Sequence, residues 1–302
     1  MKKLLAIAFV ASSLVNGMAQ SYVDIARIFY SGTNQNYFEN SDSSTRINEM
    51  GFDLTLPLVL NTKAAFLTGL IYEETETKLF ESEPRQSFSA IGFRIGFSKT
   101  YSEWWSATYI LIPKIASDLK SVTWKDFQTG AIGLWKYTKR ENFNYRFGVY
   151  VNTEQFGPII VPLFGLYHQS TDQKFEANLT LPFLADVNWK LHDRVHVGAN
   201  FNGLVRSYQL SEIPESKEEG YVVKSLNELF SYLRFNLSPS LMIQAKLGYT
   251  LGRSYRVFNE SDKITVGSIL ISVGDDRQQL NTDFSDGLVY QATLVYRFHK
   301  SN

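Results

Sequence analysis

The C-terminal stretch Gly287–Phe298, GLVYQATLVYRF, decides the fold class of this chain. Its chemistry alternates with a period of two, which is the repeat of a β-strand, because successive side chains of a strand point to opposite faces. One face carries apolar side chains: Leu288, Tyr290, Ala292, Leu294, Tyr296 and Phe298. The other face is mixed and ends in Arg297. A bilayer is crossed by about 9–11 tilted residues, so this stretch is long enough to be a transmembrane strand.

The composition narrows the class of protein. The 302 residues include 30 Lys and Arg, 30 Asp and Glu, and no Cys. The balanced charge argues against nucleic acid as a partner, and the absence of Cys excludes a disulfide scaffold, a zinc-thiolate site and a cysteine nucleophile. Beyond the N-terminal segment no apolar run reaches about 18 residues, which argues against transmembrane helices. The 17 Tyr, 22 Phe and 5 Trp are an unusually high aromatic content.

Residues 1–19 are predicted to be a secretory signal peptide. Two N-terminal lysines precede an apolar core that ends at Val15, and a small-x-small cleavage site ends at Ala19. A membrane anchor or a buried N-terminal helix fits less well, because the apolar core is short and its flanks suit cleavage. We therefore expect export, cleavage near Ala19 and a single mature domain over residues 20–302.

Beyond residue 20 the period of two persists, and no convincing amphipathic helix is found. The connections between the alternating stretches fall into two classes that take turns along the chain. One class is short: 61–63, 99–103, 139–142, 170–173, 192–194 and 238–240. The other is mostly longer and polar, with two short members: 31–45, 73–86, 115–125, 153–158, 182–184, 211–220 and 256–285. Tight turns at one end and long loops at the other are typical of up-and-down barrels that cross a membrane.

The sequence therefore predicts an all-β protein, a transmembrane antiparallel up-and-down β-barrel of about 14 strands. The range of 12–16 stays open, because the hairpin at Pro182 and a short strand near Ile264–Val273 are ambiguous. A soluble β-sandwich or a secreted β-barrel is disfavoured, since so many outward aromatic residues exceed what one core can bury. Aromatic residues gather instead near the short-turn strand ends, as an interfacial girdle does: Tyr101, Trp104, Trp105, Trp135, Tyr137, Trp189, Tyr296 and Phe298. The last strand is expected to pair with the first, near Tyr22–Tyr30.

The last strand also resembles the signal that the barrel-assembly machinery reads in outer-membrane barrels. A polar residue, Gln291, precedes Tyr296 and Phe298 at alternating positions. The strand departs from that signal at Thr293, where glycine is frequent, and in the tail that follows the final aromatic residue. The resemblance implies that the barrel-assembly machinery is a partner and that outer-membrane lipid and lipopolysaccharide surround the barrel.

Four further blocks carry a more specific resemblance. They are FGPIIVPLFGLYHQ (156–169), KFEANLTLPFLADVNWKL (174–191), YVVKSLNELFSYL (221–233) and GDDRQQLNTDF (274–284). They resemble a family of Gram-negative outer-membrane β-barrels that is known only as a domain of unknown function, and the likeness covers nearly the whole mature chain. It implies the barrel fold and the outer membrane as location, and it transfers no functional residues.

Catalytic and metal-binding constellations are not evident in the sequence. All four histidines fall near the short-turn end, whereas a barrel lipase needs its Ser/His pair near the outer leaflet: His168, His192, His196 and His299. His192 and His196 have a zinc-like spacing, but one lies in a turn and the other begins a strand. The acidic loop around Asp275 and Asp286 fits a solvated loop better than a calcium site. We expect no enzyme activity, no cofactor and no metal.

The polar face of the predicted strands is the most informative feature. The residues predicted to line the lumen are Arg94, Arg146, Glu176, Asp186, Lys190, Arg206, Glu228, Arg234, Lys246 and Arg297. Buried ions must be paired or hydrated, so they either line water or pair with one another in a closed barrel. The first alternative gives a passive channel or transporter for small solutes that leans towards anions, because bases outnumber acids. The second gives a non-conducting structural or surface-interaction barrel with functional outer loops.

Overall fold

The computed structural model of the chain describes residues 22–214, 216–267 and 272–299. Within these ranges, fourteen strands follow one another up and down around one barrel. They are β1 (Tyr22–Thr33), β2 (Asn48–Asn61), β3 (Ala64–Thr77), β4 (Gln86–Thr100), β5 (Trp105–Ser117), β6 (Phe127–Arg140), β7 (Phe143–Glu154), β8 (Gly157–Gln169), β9 (Phe175–Leu181), β10 (Leu184–His192), β11 (Val195–Leu210), β12 (Gly220–Asn236), β13 (Leu241–Thr250) and β14 (Leu288–His299). The predicted signal peptide, residues 1–19, lies outside the described residues. In the described part of the chain, no helix has the length and apolarity that a membrane span requires.

The first and last strands close the barrel. β14 pairs antiparallel with β1, from Tyr22 opposite His299 to Thr33 opposite Val289, and β1 pairs on its other side with β2. Closure leaves no open sheet edge, whose backbone N–H and C=O groups would have no hydrogen-bond partner in the hydrocarbon of the membrane. The prediction of an all-β transmembrane antiparallel barrel with about 14 strands is confirmed, and so is the pairing of the closing strand with the first strand.

The two faces of the strands separate as the alternation predicts. Exposed apolar side chains cover the outward face, among them Ile28, Tyr30, Leu58, Phe93, Ile95, Leu111, Phe147, Ile160, Phe164, Leu233, Leu247 and Leu294. At one end of the barrel the connections are tight, and we call it the short-turn end; the opposite end is the long-loop end. Exposed aromatic residues gather at the short-turn end, including Tyr101, Trp104, Trp105, Trp189 and Tyr296.

Some strands extend further towards the long-loop end than the sequence predicts. β3 continues to Thr77, through the first part of the segment 73–86 that was predicted to be a loop. Thr75 and Thr77 are fully buried and belong to the ladder between β3 and β4. The sequence hides this extension because both faces of the stretch after Tyr72 are polar.

The predicted loop 256–285 also contains strand. Ser254–Asn259 pairs with the first residues of β12, and two short strands, Val266–Gly267 and Ser272–Val273, lie where one short strand was predicted. A further short hairpin joins Asn36–Tyr37 to Ser44–Thr45 in the first long loop. The described parts of these long loops therefore contain strand pairs, and several of their side chains pack into the barrel mouth.

The barrel wall is interrupted between β8 and β11. β9 has only seven residues, fewer than the about 9–11 that cross a bilayer, and its hairpin with β10 ends at Pro182 and Phe183. β9 therefore pairs only with residues 164–169 of β8. Pro158 and Pro162 lie in the remaining part of β8, and proline, which has no N–H to donate, is tolerated at such an edge.

Above the β9–β10 hairpin, three strand segments leave the wall and turn into the lumen. We call them the inturned ribbon: residues 203–210 of β11, residues 220–225 of β12, and Ser254–Asn259. One face of the ribbon packs in a buried cluster with Phe88 and Ala116 of β4 and β5. Its other face packs with Val161 and Leu163 of β8. Because one face of the ribbon packs on β4 and β5 and the other on β8, the ribbon lies inside the lumen.

The ribbon and the long loops together fill the long-loop half of the barrel. Tyr208 and Tyr255 of the ribbon lie against Phe88, with ring centroids 4.8 and 6.0 Å away. The first and last long loops add buried Phe38 and Phe284, whose rings meet edge to face at 5.8 Å. This half of the lumen is an apolar core rather than a water-filled pore.

Candidate solute chamber in the lumen

A cavity of about 320 Å³ lies in the lumen beneath the inturned ribbon. It extends from β1–β4 on one side to β10–β14 on the other. Its charged and polar lining comprises Arg27, Glu49, Asp53, Glu73, Arg94, Asn202, Arg206, Glu228, Lys246, Gln291 and Thr293. We call this cavity the chamber.

Cross-strand ion pairs neutralise most of the charge in the chamber. Arg94 donates to both carboxylate oxygens of Asp53, with Nη2 2.8 Å from Oδ2, and Arg206 pairs with Glu73. Arg94 lies opposite Gly69, whose missing side chain leaves the guanidinium a path to a residue two strands away. The first pair joins strands two apart in the wall, and the second joins β11 to β3, which are not neighbours in the sheet.

A third pair lies at the top of the chamber and is nearly dry. Lys224 is 1% exposed, and its Nζ lies 2.7 Å from Glu49 Oε1 and 3.0 Å from Thr75 Oγ1. The hydroxyl of Tyr255 also donates to Glu49, at 2.7 Å. The buried carboxylate thus gains two donors, which offsets its loss of hydration.

Three charged residues of the chamber stand apart from these pairs. Among the described residues, no ion pair joins Arg27 or Lys246 to a carboxylate, or Glu228 to a base. Lys246 Nζ lies 3.4 Å from Asn200 Oδ1 and over the rings of Phe230 and Tyr232, at 5.6 and 5.9 Å from their centroids. Two bases against one acid leave the chamber with an excess of one positive charge.

The short-turn side of the chamber is filled by a polar network. Tyr22 donates to Glu176 at 2.5 Å, and the guanidinium of Arg297 lies 3.4 Å from the centroid of the Tyr22 ring. Arg297 Nε also donates to Asp24 at 2.5 Å. Arg146 donates to Asn178 at 2.7 Å. This network ties β1 and β14 to β7 and β9 across the lumen.

A second part of the network lies on β10–β12. The hydroxyl of Tyr232 donates to Asp186 at 3.0 Å, and Arg234 lies 3.9 Å from the same carboxylate. His196 and Asn188 are 3.3 Å apart beside them. The short-turn half is therefore closed by groups that water can replace, unlike the long-loop half.

Side chains from the facing wall satisfy the free edge of the ribbon. Glu154 Oε2 accepts from both the amide N and Oγ of Ser207, each at 2.6 Å, and Gln128 donates to the carbonyl of Ser207 at 3.1 Å. Lys114 pairs with the other oxygen of Glu154 at 3.2 Å. These groups stand where the neighbouring strand is missing, so we call Lys114, Gln128, Glu154 and Ser207 the latch.

The structure distributes the ten predicted lumen residues over three places. Arg94, Arg206, Glu228 and Lys246 line the chamber. Those in the polar network are Arg146, Glu176, Asp186, Arg234 and Arg297. Lys190 lies at the short-turn mouth, where it pairs with Asp193 of the adjacent turn at 2.8 Å.

The residues of the predicted assembly signal separate by face. Gln291 lines the chamber and faces Lys246 and Ser31 in the register, whereas Tyr296 is exposed on the outward face. Phe298 is paired with Val23 next to the barrel seam. The signal residues thus lie on the strand that closes the barrel.

Of the charged chamber residues, the sequence alternation places Glu49 and Asp53 on the lumen face, and two others, Arg27 and Glu73, were missed. Arg27 lies on β1, where Arg27, Phe29 and Ser31 alternate with the exposed Ile28 and Tyr30. That alternation was available as a signal in the sequence. Glu73 was missed because the end of β3 was predicted to be a loop.

Other candidate sites on the described residues have simpler interpretations. A groove of about 520 Å³ on the outward face is almost wholly apolar, with small residues such as Ala185 and Ala199 at its floor, and it suits an acyl chain. In the described ranges, no group of three or more His, Cys, Asp and Glu side chains is arranged to hold a metal ion.

Comparison with known proteins gives a family and a set of structural likenesses. A family model described as a domain of unknown function, DUF6268, matches residues 15–264. Among curated proteins, no relative matches the sequence. The crystal structure of the COG4313 outer membrane channel from Pseudomonas putida F1 is similar at 7% identity, with a TM-score of 0.47, over 96% of this chain and 98% of that one.

Two further solved structures are similar over most of their length. The P. putida toluene transporter TodX has 11% identity and a TM-score of 0.35, over 95% of this chain and 94% of that chain. A Pseudomonas aeruginosa FadL homologue has 10% identity and a TM-score of 0.35, over 91% and 90%. At such identities the likenesses concern the fold alone.

Proposed function

The chain belongs to the DUF6268 family, whose function is unknown, and we propose from its lumen that it is an outer-membrane channel for small solutes that rests in a closed state. The observation that carries the proposal is the chamber. A cavity of about 320 Å³ has room for several waters or a small solute, and its lining is polar and charged. A purely structural barrel has no need of such a cavity at mid-height.

In this proposal the resting channel is closed because side chains fill the lumen at both ends. The inturned ribbon blocks the long-loop side with apolar side chains, and the polar network blocks the short-turn side. Conduction in this proposal requires movement of the ribbon away from β5, where Ser117 and Gln209 are partners in a parallel bridge. The ribbon is therefore the gate.

The charge of the chamber supports a mild preference for anions. After the ion pairs are set aside, Arg27 and Lys246 face one carboxylate, Glu228. Excess fixed charge of one sign favours solutes of the other sign in a narrow passage. Because the excess is only one positive charge, we expect the chamber to prefer anions without excluding cations.

The test is conductance through a planar bilayer, with the gate under chemical control. The chain has no natural cysteine, so Ser117→Cys with Gln209→Cys places one disulfide between ribbon and wall. We expect wild-type protein to conduct, the oxidised pair to be silent and its reduction to restore the current. A matched control, Val197→Cys with Leu233→Cys, joins partners within the wall and is expected to leave the current unchanged on oxidation.

Selectivity is tested in the same bilayer with a KCl gradient. Arg27→Gln with Lys246→Gln is expected to shift the reversal potential towards cation preference. Glu228→Gln is expected to shift it in the opposite direction. If neither change moves the reversal potential of a conducting protein, the solute does not pass through the chamber.

A non-conducting structural or surface-interaction barrel is the second candidate, and the filling of both lumen ends favours it. Fully buried side chains such as Tyr208 and Leu79 at the long-loop end are what a permanent plug requires. A reduced cysteine pair and a wild-type protein that never conduct at any voltage would establish this candidate and overturn the channel.

The proposal includes location and surroundings. We propose a barrel in the outer membrane of a Gram-negative bacterium, delivered by a cleaved signal peptide and inserted by the barrel-assembly machinery. The apolar outward face and the aromatic residues of the short-turn end support a bilayer setting, with lipopolysaccharide at the long-loop end. No enzymatic step, cofactor or metal enters the proposal.

A further inference from the structure

The loop between β5 and β6 exposes apolar side chains at the long-loop end of the barrel. Trp124 is 86% exposed and Val122 is 54% exposed, and Leu119 and Phe127 are exposed beside them. Trp124 is the one tryptophan of the sequence outside the short-turn half, since the other four are Trp104, Trp105, Trp135 and Trp189. A soluble loop has no reason to leave so large a ring in water.

Local structure fixes the direction in which this loop points. Trp124–Asp126 forms a short 3₁₀ turn, in which the Thr123 side chain accepts from the Lys125 amide and Asp126 accepts from the Thr123 amide. Lys125 reaches from this turn to the ribbon side, with Nζ 2.6 Å from Glu219 and 2.9 Å from Glu260. The neighbouring Trp124 is 86% exposed, and its ring contacts Phe127.

The exposed tryptophan is continuous with the outward face of the barrel. The Trp124 ring lies 5.2 Å from the ring of Phe127, which is exposed at the first position of β6. Phe127 pairs with Ile115 of β5 on the outward face, next to the apolar belt. Lys120 lies beside the patch with 66% of its side chain exposed, and its Nζ lies 3.7 Å from Asp118 Oδ2.

We propose that this loop patch, Leu119, Val122, Trp124 and Phe127, lies in the outer leaflet of the membrane at the boundary between acyl chains and headgroups. The continuity with the outward belt selects lipid as the occupant, because the same bilayer must cover both surfaces. Tryptophan favours this boundary, where an amphipathic ring has one side in hydrocarbon and the other in water. Lys120 lies at the level of the anionic headgroups, where its charge is attracted to them.

Docking of the patch also anchors the gate region. Asp118, at the start of the loop, accepts from the amide and hydroxyl of Ser211, at 3.1 and 2.7 Å, just beyond the ribbon strand β11. The amide of Asp118 donates to the carbonyl of Gln209 at 2.9 Å. The loop thus connects the outer leaflet to the ribbon through short polar contacts.

The experiment uses single cysteines in the otherwise cysteine-free chain. Val122→Cys, labelled with an environment-sensitive fluorophore, is compared in proteoliposomes with Lys217→Cys, whose native side chain is 72% exposed near the ribbon tip. The label at 122 is expected to emit at shorter wavelength than the label at 217. It is also expected to be quenched by lipids with a nitroxide near the top of the acyl chain, and to resist aqueous iodide.

Equal iodide quenching at both positions would overturn the proposal. Shielding at 122 that disappears when the protein is diluted with lipid would also overturn it, because it would assign the patch to contact between copies of the chain. Both native side chains are exposed, so neither variant removes a buried contact. A gel-mobility shift on heating verifies that each variant is folded, and the result does not depend on whether the barrel conducts.

Discussion

The two halves of the lumen are closed by opposite means. In the long-loop half, Phe88, Tyr208 and Tyr255 meet in a dry apolar cluster. In the short-turn half, Tyr22, Glu176 and their neighbours fill the space with hydrogen bonds and ion pairs. Opening the first half exposes apolar surface, at about 25 cal/mol per Å², whereas water can replace partners in the second at a net cost of about 0.5–1.5 kcal/mol per hydrogen bond. The apolar half is therefore expected to cost more free energy to open than the polar half.

The difference originates in the short β9–β10 hairpin. Because that hairpin ends below the long-loop rim, the upper part of β11 has no neighbour on its β10 side. It turns inward together with the paired part of β12, with both faces available for packing. Their alternation of apolar residues on both faces, as at Tyr221 and Val222, suits a position between two walls. A barrel wall needs only one apolar face, so this double pattern marks the inturned ribbon.

The largest loss of unfolding free energy is expected from a substitution that creates a cavity in the apolar half. Phe88 is 1% exposed, and Phe88→Ala removes its contacts with Tyr208 and Tyr255. We expect the free energy of unfolding to fall by about 3–5 kcal/mol, as for other buried Phe→Ala changes. Urea titration of the folded barrel in bilayers, followed by tryptophan fluorescence, measures it.

The control lies on the same strand and faces the other way. Phe93 is 57% exposed on the outward side, so Phe93→Ala loses contacts with lipid rather than with a packed core. A smaller loss than for Phe88→Ala is expected. Equal losses would mean that the inward cluster is no better packed than the lipid-facing surface, and the contrast between the halves would fail.

The second-largest loss of unfolding free energy is expected from a substitution in the latch. Glu154→Leu leaves Lys114 as an unpaired buried charge and removes the acceptor of the Ser207 amide and hydroxyl. Breaking a buried ion pair by removing one partner costs about 3–5 kcal/mol. We expect a loss at the lower end of that range, together with more frequent openings in bilayer recordings.

A double variant separates charge from packing at the latch. Lys114→Met in the Glu154→Leu background removes the stranded charge, so part of the lost unfolding free energy should return. The openings should persist, because the edge of the ribbon still has no acceptor. If the unfolding free energy does not recover, the stranded charge of Lys114 is not the cause of the loss; if the openings disappear, the Glu154 acceptor does not hold the ribbon.

A smaller loss of unfolding free energy is expected from breaking an ion pair in the chamber. Arg94 and Asp53 pair with 22% and 25% of their side chains exposed, so water can solvate whichever partner remains. Arg94→Met should lower the unfolding free energy by about 1 kcal/mol, far less than the latch variant. Adding Asp53→Asn should restore most of it, and a loss as large as at Glu154 would indicate a dry chamber.

The closed 14-stranded barrel was predictable from sequence because alternation is a local signal that repeats in every strand. Gly287–Phe298 and the two classes of connection were enough to predict the barrel and its seam with β1. The inward faces of Arg94, Arg206 and Lys246 followed from the same alternation. Periodicity assigns a face, however, and it does not say how far a strand stays in the wall.

The inturned ribbon was not predictable for that reason. Its residues Tyr208 and Val222 read as one face of an ordinary strand, and the missing neighbour above Pro182 is a property of the three-dimensional arrangement. One signal was present in the sequence: Ile159–His168 is apolar on both faces, as a wall strand that packs against an internal element must be. Whether Arg94 would meet Asp53 or water depended on the placement of strands two apart.

The smallest effect is expected at the exposed rim of the long-loop end, where charges rather than apolar groups join loop and ribbon. The hydrogen bond from Lys125 lowers the pKa of Glu219, so the contact is present above the ordinary pKa of a glutamate. It is lost as the pH falls through the depressed pKa of Glu219, which lies below that ordinary value. Lys125→Met should therefore speed amide hydrogen exchange around Glu219 at neutral pH and low salt, and have no effect at high salt or acidic pH, where wild type has already lost the contact. If the acceleration persists at high salt or acidic pH, packing of the Lys125 stem, rather than its charge, holds this rim. The ion pair with Glu219 would then not contribute to the stability of the long-loop end.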